Sequence, residues 1–441
     1  ILWYDSNRLY RGGIMFKHNK SPFIKPNFHK ISQLTEEASD DENIREIIVE
    51  HKSGFNTLEV LIIVVVSIAF GIIVGFSLSI FRNNYQGVKV SEPLKEMVAV
   101  YQNILDTYYE DVNGSDLADA AIEGMISSLD DPYSIYMDED DSDAFNTTVD
   151  GSYVGIGVTV AASDTSDFIV IDILNDSPAQ KAGIEVGDVI TKIDSKSVIG
   201  LTLDDISSLI KGKAGSKVKL TLLRGEDTIE KTVTRGNVEL VSVISNVYHD
   251  DIGYIYIQNF AANTYQQFKE ELKKLEKQNI QSLIIDVRSN PGGHLNQTRD
   301  ILELFMDKNK VLYQVEFKDD KEKIKDETKA SRSYPVVVLI NSASASASEI
   351  LAASFQDSYS NAVLVGETTY GKGTVQQAFS LSDGSSLKYT TERWLTPKGK
   401  WIDGKGVSPD YEVSLSDDYL QSPTEDNDSQ LQKAIELLNQ S

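Results

Sequence analysis

Two segments carry side chains suited to acyl-transfer chemistry, and the first is rich in serine. Val336–Ser354 reads VVVLINSASASASEILAAS and runs from an apolar strand through small residues into a helix predicted to begin near Ser348. A serine at such a turn faces the positive end of the helix, where free backbone N–H groups can hold an oxyanion. A flexible Ser/Ala loop has the same composition, so this segment alone does not identify a nucleophile.

The second segment, Ala362–Gln377, reads AVLVGETTYGKGTVQQ and places Lys372 between two glycines after an apolar strand. A lysine acts as a general base only where burial lowers its pKa toward neutrality. Flanking glycines allow a tight fold that brings the amine inward, and Gln376 is placed to orient it. The segment also fits GxxxxGK, but Gly373 stands where a P-loop needs Ser or Thr, and a strand-like VQQAFSLS follows. A nucleotide hydrolase is therefore disfavoured.

The elements around these segments alternate between short strands and helices. The pattern predicts strands at Ile252–Ile257, Ser282–Asp286 and Pro335–Ile340, and an amphipathic helix at Tyr265–Lys277. This order favours a mixed α/β core. Further predictions are helices over Ser91–Leu129, broken at Gly114-Ser115-Asp116, an exposed charged stretch Lys318–Ser333, a polar linker Leu415–Asp428 and a last helix Gln430–Leu438.

Gly151–Gly236 is predicted to be a separate module of short strands and two helices, and it resembles a PDZ domain. GSYVGIGVTV, Gly151–Val160, is similar to a carboxylate-binding loop, and SPAQKAGIEVGDVITKID follows it. Successive N–H groups in such a loop converge on a terminal carboxylate while the peptide adds a strand. The residues expected to bind a peptide C-terminus are Gly155, Ile156, Gly157 and Val158.

NSASASASE followed by GETTYGKGTVQQ resembles the serine/lysine proteases called C-terminal processing peptidases, or tail-specific proteases. DVRSNPGG, AIEGMISSLDDPYSIYM and DSQLQKAIELL resemble further parts of that family, so the resemblance covers about Ser91 to Ser441. It implies an α/β (α+β) multidomain protein, with a PDZ domain inserted in a crotonase/ClpP-like protease core between helical N- and C-terminal parts.

By this resemblance the nucleophile is the middle serine of SASASE, Ser346. Lys372 is then the base and Gln376 the residue that positions it. Ser344 and Ser348 stay open as alternatives, because a shift within the repeat is not excluded by the sequence. The interval of 26 residues from Ser346 to Lys372 is one longer than is usual in the family.

The backbone N–H groups of Ala347 and of Gly292 or Gly293 are expected to hold the oxyanion. His294 follows the two glycines where the family has an apolar or aromatic residue, so a Ser-His mechanism is a weaker alternative. The resemblance also suggests that Arg224 couples the PDZ domain to the active site, against the plainer interpretation of a surface arginine.

A membrane span is predicted from Val60 to Ile80, 21 residues without a charge between Glu59 and Arg82. A helix of this length crosses a hydrocarbon core of about 30 Å. Flanking charges do not decide the orientation. The N-terminus is assigned to the inside because a large folded part follows. Gly71 and Gly75 form a GxxxG that would allow a homodimer.

Composition excludes several classes. The net charge of −25 disfavours nucleic acid, and the absence of cysteine excludes disulfides and thiolate metal sites. No HExxH occurs among five histidines, and no metal or organic cofactor is implied.

The expected organisation is a cytoplasmic segment 1–57, a membrane helix 58–81, a helical region 91–149, a PDZ domain 150–236, a protease core 237–414, and a linker with C-terminal helix 415–441. The expected function is a membrane-anchored serine endopeptidase that binds protein C-terminal tails, with the catalytic part outside a bacterial cytoplasmic membrane. An activating or adaptor protein is left open. The rival is a non-catalytic PDZ scaffold.

Overall fold

The computed structural model describes residues 91–163 and 167–440. The predicted membrane segment and its GxxxG lie outside these residues. Among the residues described, none of the helices combines the length and apolar character that a bilayer crossing requires. The chain divides into two units at Asp119/Ala120.

The structure places the helices as follows: α1 (Glu92–Thr107), α2 (Gly114–Ser127), α3 (Glu139–Asp150), α4 (Pro178–Ala182), α5 (Leu203–Ile210), α6 (Thr264–Lys277), α7 (Leu295–Leu302), α8 (Ala347–Ser358), α9 (Asp417–Gln421) and α10 (Ser429–Asn439). The strands are β1 (Ile135–Met137), β2 (Ser152–Gly155), β3 (Val158–Ala162), β4 (Phe168–Ile173), β5 (Val189–Ile193), β6 (Lys196–Ser197), β7 (Lys217–Arg224), β8 (Asp227–Thr234), β9 (Gly236–Glu239), β10 (Val243–Tyr248), β11 (Ile252–Ile257), β12 (Ser282–Asp286), β13 (Val311–Glu316), β14 (Lys321–Lys325), β15 (Val336–Ile340), β16 (Ala362–Gly366), β17 (Thr374–Ser380), β18 (Ser386–Leu395) and β19 (Tyr411–Glu412).

The part of the chain after the PDZ-like module is built on a sheet of order β10-β11-β12-β15-β16-β19, parallel from β11 to β19. β12 and β15 are buried along their whole length, as expected for apolar runs covered on both faces. Alternate residues enter different clusters: Leu283 and Ile285 pack with helices α6 to α8, whereas Ile284 packs with Leu431 and Ile435 of α10. The mixed α/β core predicted from sequence is confirmed.

A second sheet, of order β1-β18-β13-β14 with β17 also paired to β18, lies in the same unit. β17 runs through VQQ, the stretch that sequence assigned to a strand, not to the helix of a P-loop. β14 was missed inside the predicted exposed stretch 318–333. Its sequence, KEKIK, has a single half-buried apolar residue, Ile324, so its strand structure follows from pairing with β13.

The PDZ-like module contains the sheet β3-β4-β5-β7-β8, and β2 pairs with β9 at its base. It has a core of its own, in which Phe168, Val218, Leu220 and Leu222 are fully buried. Helix α5 begins at Leu203 because Thr202 and Asp205 form a reciprocal capping box.

Two boundaries predicted from sequence were wrong. The break expected at Gly114–Asp116 lies at 108–113, and Gly114 begins α2 because the Asn113 side chain accepts the Ser115 N–H. The linker predicted at Leu415–Asp428 contains α9, and its last residue, Asp428, is buried as the N-cap of α10. Neither boundary could be predicted from polar composition, because the residues that cap a helix are polar, as loop residues are.

Candidate active site

Ser346 lies at the junction between β15 and α8, immediately before the first helical residue. Its backbone has φ 55° and ψ −113°, which residues with a Cβ rarely adopt. Such strain persists only where the surroundings enforce it, and it is common at functional sites. The side chain faces a cavity of about 280 Å³ that Lys372 and Gln376 also line. The structure thus brings together the three residues that sequence selected for chemistry.

The two neighbouring serines of the repeat have structural partners. Ser344 is fully buried and its hydroxyl donates to the carbonyl of Val287 at 2.8 Å. Ser348 is fully buried and its hydroxyl donates to the carbonyl of Asn290 at 2.9 Å. Ser346 is half-buried and alone of the three lines the cavity. The geometry therefore favours Ser346 over both alternatives as nucleophile.

Lys372 follows β16 in a loop whose backbone is held on both sides. Its carbonyl accepts the indole N–H of Trp394 at 2.8 Å, and Gly373 donates to Asp403 at 2.9 Å. A Cβ on Gly371 would lie 2.9 Å from the nitrogens of Lys405 and Gly406, so the turn requires glycine. The amine is thereby directed into the cavity.

Burial and, to a smaller extent, the positive charge of Lys388 lower the pKa of Lys372 to about 8, against the opposing effects of Asp131 and Glu349. Its Nζ lies 4.5 Å from the centroid of the Tyr133 ring. No hydrogen bond or ion pair of this amine occurs among the described residues. Lys372 is thus a cation of weakened basicity that rests on an aromatic face.

Glu349, whose role sequence reasoning overlooked, joins the loops that carry Ser346 and Lys372. The side chain is fully buried in the first turn of α8. Oε2 accepts the backbone N–H groups of Ser346 at 2.7 Å and Lys372 at 2.9 Å. Oε1 accepts the Thr369 hydroxyl at 2.6 Å and the Gly371 N–H at 2.7 Å. The only signal in the sequence is an acidic residue placed three positions after Ser346, in a run of small residues.

Gln376 lies on β17, and its amide donates to the hydroxyls of Thr374 and Thr390 at 2.9 Å each. Thr390 in turn donates to Asp131 at 2.6 Å. Within the described part of the chain the Gln376 side chain makes no hydrogen bond to Lys372. Gln376 is therefore connected to Lys372 only indirectly: it bonds Thr390, Thr390 bonds Asp131, and the charge of Asp131 acts on Lys372.

Asp131 and Tyr133 belong to the DDPYS segment and are further residues that sequence reasoning left without a role. Burial raises the pKa of Asp131, but hydrogen bonds from Ser134 and Thr390 outweigh it and the net pKa is lowered. Burial and a hydrogen bond with Tyr370 raise the pKa of Tyr133 to about 12, so its ring stays neutral beneath the lysine. A lone aspartate and tyrosine in a turn offer no sequence signal for such a contact.

The two glycines proposed for the oxyanion site differ in the structure. Gly292 donates its N–H to the Asn290 side chain at 2.8 Å. The N–H groups of Gly293 and Ala347 have no acceptor among the residues described, and both residues line the cavity. A Cβ on Gly293 would lie 2.3 Å from the Phe260 carbonyl oxygen, which enforces glycine there. The geometry favours Gly293 with Ala347.

His294 does not line the cavity with Ser346. It is 3% exposed, and burial lowers the pKa of its ring to about 4, despite a hydrogen bond with the Val149 backbone. A neutral imidazole packed in this way is not placed to take a proton from Ser346. His294 is buried at a position where the family has an apolar or aromatic residue, so its imidazole ring occupies an interior position.

The loop before the glycines is tied to the C-terminal helix through Arg288. Its guanidinium lies 2.6 Å from Asp286 and 2.8 Å from Asp428, and all three side chains are largely buried. Burial would lower the pKa of Arg288, but the two carboxylates raise it, so the charge is permanent. Asp428 also caps α10 through the N–H groups of Gln430 and Leu431.

In the PDZ-like module, Gly155, Ile156, Gly157 and Val158 line a groove of about 440 Å³ between β3 and α5. Tyr153 lines it too. Burial raises the pKa of its hydroxyl, and a hydrogen bond with the Gly157 backbone opposes that rise. The phenol thus contacts the loop at an N–H group expected to meet a peptide carboxylate.

Arg224 ends β7 and is held within the module. Its guanidinium bonds Asp188 at 2.7 and 2.9 Å and the Gly183 carbonyl at 3.0 Å, and it pairs with Glu185. Asp188 is fully buried. The structure therefore gives Arg224 a structural partner and does not place it among the residues lining the catalytic cavity.

The arrangement can support acyl transfer. It offers a strained serine, an amine with a pKa of about 8, and two unpaired N–H groups around one cavity. Among the described residues no cluster of His, Asp or Glu is arranged to hold a metal ion.

Comparison with known proteins identifies the families whose sequences this chain resembles. Residues 251–413 match the family model for peptidase family S41, residues 78–141 that for the activating protease CtpB N-terminal domain, and residues 169–224 that for the PDZ domain. The chain is 41% identical over 330 residues to carboxy-terminal processing protease CtpA of Bacillus subtilis strain 168, covering 74% of this chain and 70% of the relative.

A probable CtpA-like serine protease of Staphylococcus haemolyticus strain JCSC1435 is 38% identical over 359 residues, which cover 80% of this chain and 72% of that protein. The structure of a photosystem II D1 C-terminal processing protease aligns with a TM-score of 0.42 and 26% identity, covering 74% of this chain and 94% of that chain.

Proposed function

This chain belongs to the carboxy-terminal processing proteases of peptidase family S41, and we propose that it cleaves protein tails by a Ser346–Lys372 mechanism. That it is a serine-type protease with a PDZ domain follows from the family. The observation that carries the mechanism is the shared cavity: Ser346 opens into it beside Lys372, whose pKa is about 8.

In the proposed reaction the neutral Lys372 amine takes the proton of the Ser346 hydroxyl as Oγ attacks the scissile carbonyl. The oxyanion binds the N–H groups of Gly293 and Ala347. The protonated lysine then passes its proton to the leaving amine, and an acyl-enzyme remains on Ser346. Water, deprotonated by Lys372, hydrolyses that ester.

No hydrogen bond joins the Lys372 amine to the Ser346 hydroxyl among the described residues, so the amine has to move closer to the serine before the first proton transfer. We propose that bound peptide brings about this change. Gln376 positions the lysine through Thr390 and Asp131, whose charge favours the ammonium that forms. Gln376 is thus proposed to position Lys372 through this chain of hydrogen bonds, without touching it.

The PDZ groove is proposed to bind the free C-terminus of the substrate through Gly155, Ile156, Gly157 and Val158. The terminal carboxylate must displace the Tyr153 hydroxyl from Gly157. If Arg224 couples the groove to the active site, it has to release Asp188 first. Binding at both places would fix the scissile bond near Ser346.

We further propose that Val60–Ile80 anchors the protease in a bacterial cytoplasmic membrane with the catalytic part outside, and that self-association and an activating protein contribute to regulation. The uncharged 21-residue segment supports the anchor. The crotonase/ClpP-like class of the core is proposed as well, and the parallel order β11-β12-β15-β16 supports it.

The mechanism is tested with residues 85–441 and an unstructured protein that ends in apolar residues, with cleavage followed by mass spectrometry. We expect Ser346→Ala and Lys372→Ala to be inactive and His294→Ala, if folded, to cut. Activity in Ser346→Ala would exclude the assigned nucleophile.

Deletion of residues 151–235 tests the PDZ domain. Loss of cleavage of a tailed protein, with cleavage of a short peptide retained, is the expected result. Undiminished cleavage of both would rule out an essential role for the domain. A non-catalytic scaffold would instead bind tails and cleave none of them.

A further inference from the structure

Lys388 is a second lysine in the catalytic cavity. It lies in the middle strand of a three-stranded part of the second sheet, where its backbone pairs with Ile135 of β1 and Ala378 of β17. Its side chain lines the cavity with Ser346 and Lys372. Pairing on both sides fixes the position from which the amine extends.

The Lys388 amine has no anionic partner within the described residues. Its contact is with the ring of Phe145, whose centroid lies 5.1 Å from Nζ. The described lining of the cavity contains two lysines and no Asp or Glu. Burial lowers the pKa of Lys388 because no carboxylate compensates for lost hydration.

The described lining of the cavity lacks an acidic side chain although the chain has 67 Asp and Glu residues against 42 Lys and Arg. Some lysines elsewhere in the chain pair with carboxylates, as Lys398 does with Asp357 at 2.9 Å. A half-buried ammonium costs free energy unless an anion compensates it. The missing anion is therefore expected to arrive with a ligand of the cavity.

We propose that Lys388 binds a carboxylate of the polypeptide substrate beside the scissile bond. The inference rests on the proposed function, since the cavity is the one that holds Ser346. The carboxylate comes either from an Asp or Glu side chain near the cleaved bond or from the free C-terminus of a short tail. Either source pairs with the amine over the Phe145 ring and leaves Lys372 free for proton transfer.

The first arm of the test uses peptides blocked at both ends, so that the PDZ groove has no terminal carboxylate to bind. Each position around the cleavage site carries Asp or, in a matched peptide, Asn. For the parent, one position should show kcat/KM about tenfold higher with Asp, since a charged hydrogen bond contributes about 1.5 kcal/mol or more.

The preference should disappear in Lys388→Met, persist in Lys388→Arg and be unaffected in the control Lys398→Met. A purely electrostatic effect of Lys388 on Lys372 would change the Asp and Asn peptides by the same factor, and that outcome overturns the proposal. The second arm compares neutral peptides with a free or an amidated C-terminus. A preference for the free carboxylate that Lys388→Met abolishes assigns the C-terminus as the source.

Binding separates this inference from the proposed function. In the Ser346→Ala protein, the fluorescence anisotropy of a blocked acidic peptide should report weaker binding when Lys388 is also Met. If the parent cuts no peptide, the proposed function fails while this measurement still decides the role of Lys388. Equal affinity of the two proteins for the acidic peptide overturns the inference. Unchanged binding of a tail peptide by the PDZ groove serves as the folding control.

Discussion

The buried carboxylate of Glu349 accepts the backbone N–H of Lys372 at 2.9 Å, across 23 residues of chain. The same oxygen accepts the N–H of Ser346, so one side chain sets the spacing of the proposed nucleophile and the proposed base. Four donors converge on this carboxylate and compensate for its burial. Its role is to position the two residues, because it does not line the cavity.

Glu349→Gln should therefore reduce kcat by about 100-fold or more, because a displacement of about 1 Å in a catalytic pair has effects of this size. The amide keeps the volume but turns an N–H₂ toward backbone donors, so the free energy of unfolding should also fall by about 1–3 kcal/mol. Peptide cleavage and urea unfolding measure the two effects. Glu412→Gln, at an exposed position, is the control. Full activity of Glu349→Gln would contradict the positioning role.

The activity should depend on pH through Lys372. The pKa of about 8 leaves about one tenth of the amine neutral at pH 7, so kcat/KM should rise about tenfold from pH 6 to 7 and level off above pH 8 to 9. A pH–rate profile on a substrate without titratable groups measures it. A profile that is level between pH 6 and 9 would exclude Lys372 as the base.

The same pKa predicts a dependence of stability on pH. The folded pKa of Lys372 lies near 8 and below its ordinary value of 10.5, so the unfolded chain binds more protons between these values. The free energy of unfolding should rise with pH across this window, and the destabilisation is fully present below pH 8. Lys372→Met should remove this contribution and gain at least about 1 kcal/mol at pH 7, since one pKa unit corresponds to about 1.4 kcal/mol. Urea unfolding at pH 7 and 10 compares the two proteins, and an identical pH dependence would refute the assignment.

The serine repeat shows where sequence was sufficient and where it was not. The motifs SASASE and GKG located the loops that carry Ser346 and Lys372. The strands before these loops were predicted from apolar runs, and the helix after the first loop from its small residues. Ser344, Ser346 and Ser348 look alike in sequence, because their difference lies in burial against Val287 and Asn290, which only the folded chain brings near. The place of Lys388 in the same cavity was not predicted for the same reason, because only the folded chain brings it near Ser346.

Arg224 and Gln376 illustrate a second limit. Their residue types suggest direct roles, but the contacts of an arginine or amide depend on strands distant in sequence. Asp188 lies 36 residues before Arg224, and Thr390 lies 14 residues after Gln376. The family resemblance supplied candidate roles for both, and the geometry supplied the partners.

Measurements of stability and of labelling should distinguish Ser346 from Ser344 and Ser348. Ser344→Ala and Ser348→Ala each remove a buried hydrogen bond to a carbonyl that keeps a backbone N–H donor, and should lower the free energy of unfolding by about 0.5–1.5 kcal/mol each. Ser346→Ala should change stability less than either of these variants, since the Ser346 hydroxyl is half-buried and makes no bond to a buried carbonyl among the described residues, and it should abolish labelling by a serine-directed phosphonate. Locating the label by mass spectrometry in the folded parent checks the assignment. A label on Ser344 or Ser348 would move the nucleophile.

Asp428 should couple the stability of the C-terminal helix to the loop that holds Gly293. Asp428→Ala leaves the buried Arg288 with one carboxylate and removes the cap of α10, so the free energy of unfolding should fall by about 3 kcal/mol or more. Asp428→Asn keeps a capping oxygen and should recover about 1 kcal/mol of that loss. Because Arg288 begins the loop that leads to Gly293, kcat should fall in both variants while the affinity of the PDZ groove for a tail peptide stays constant. Urea unfolding, peptide cleavage and anisotropy give the three quantities. A loss of stability without any loss of kcat would show that the helix supports the core but not the oxyanion loop.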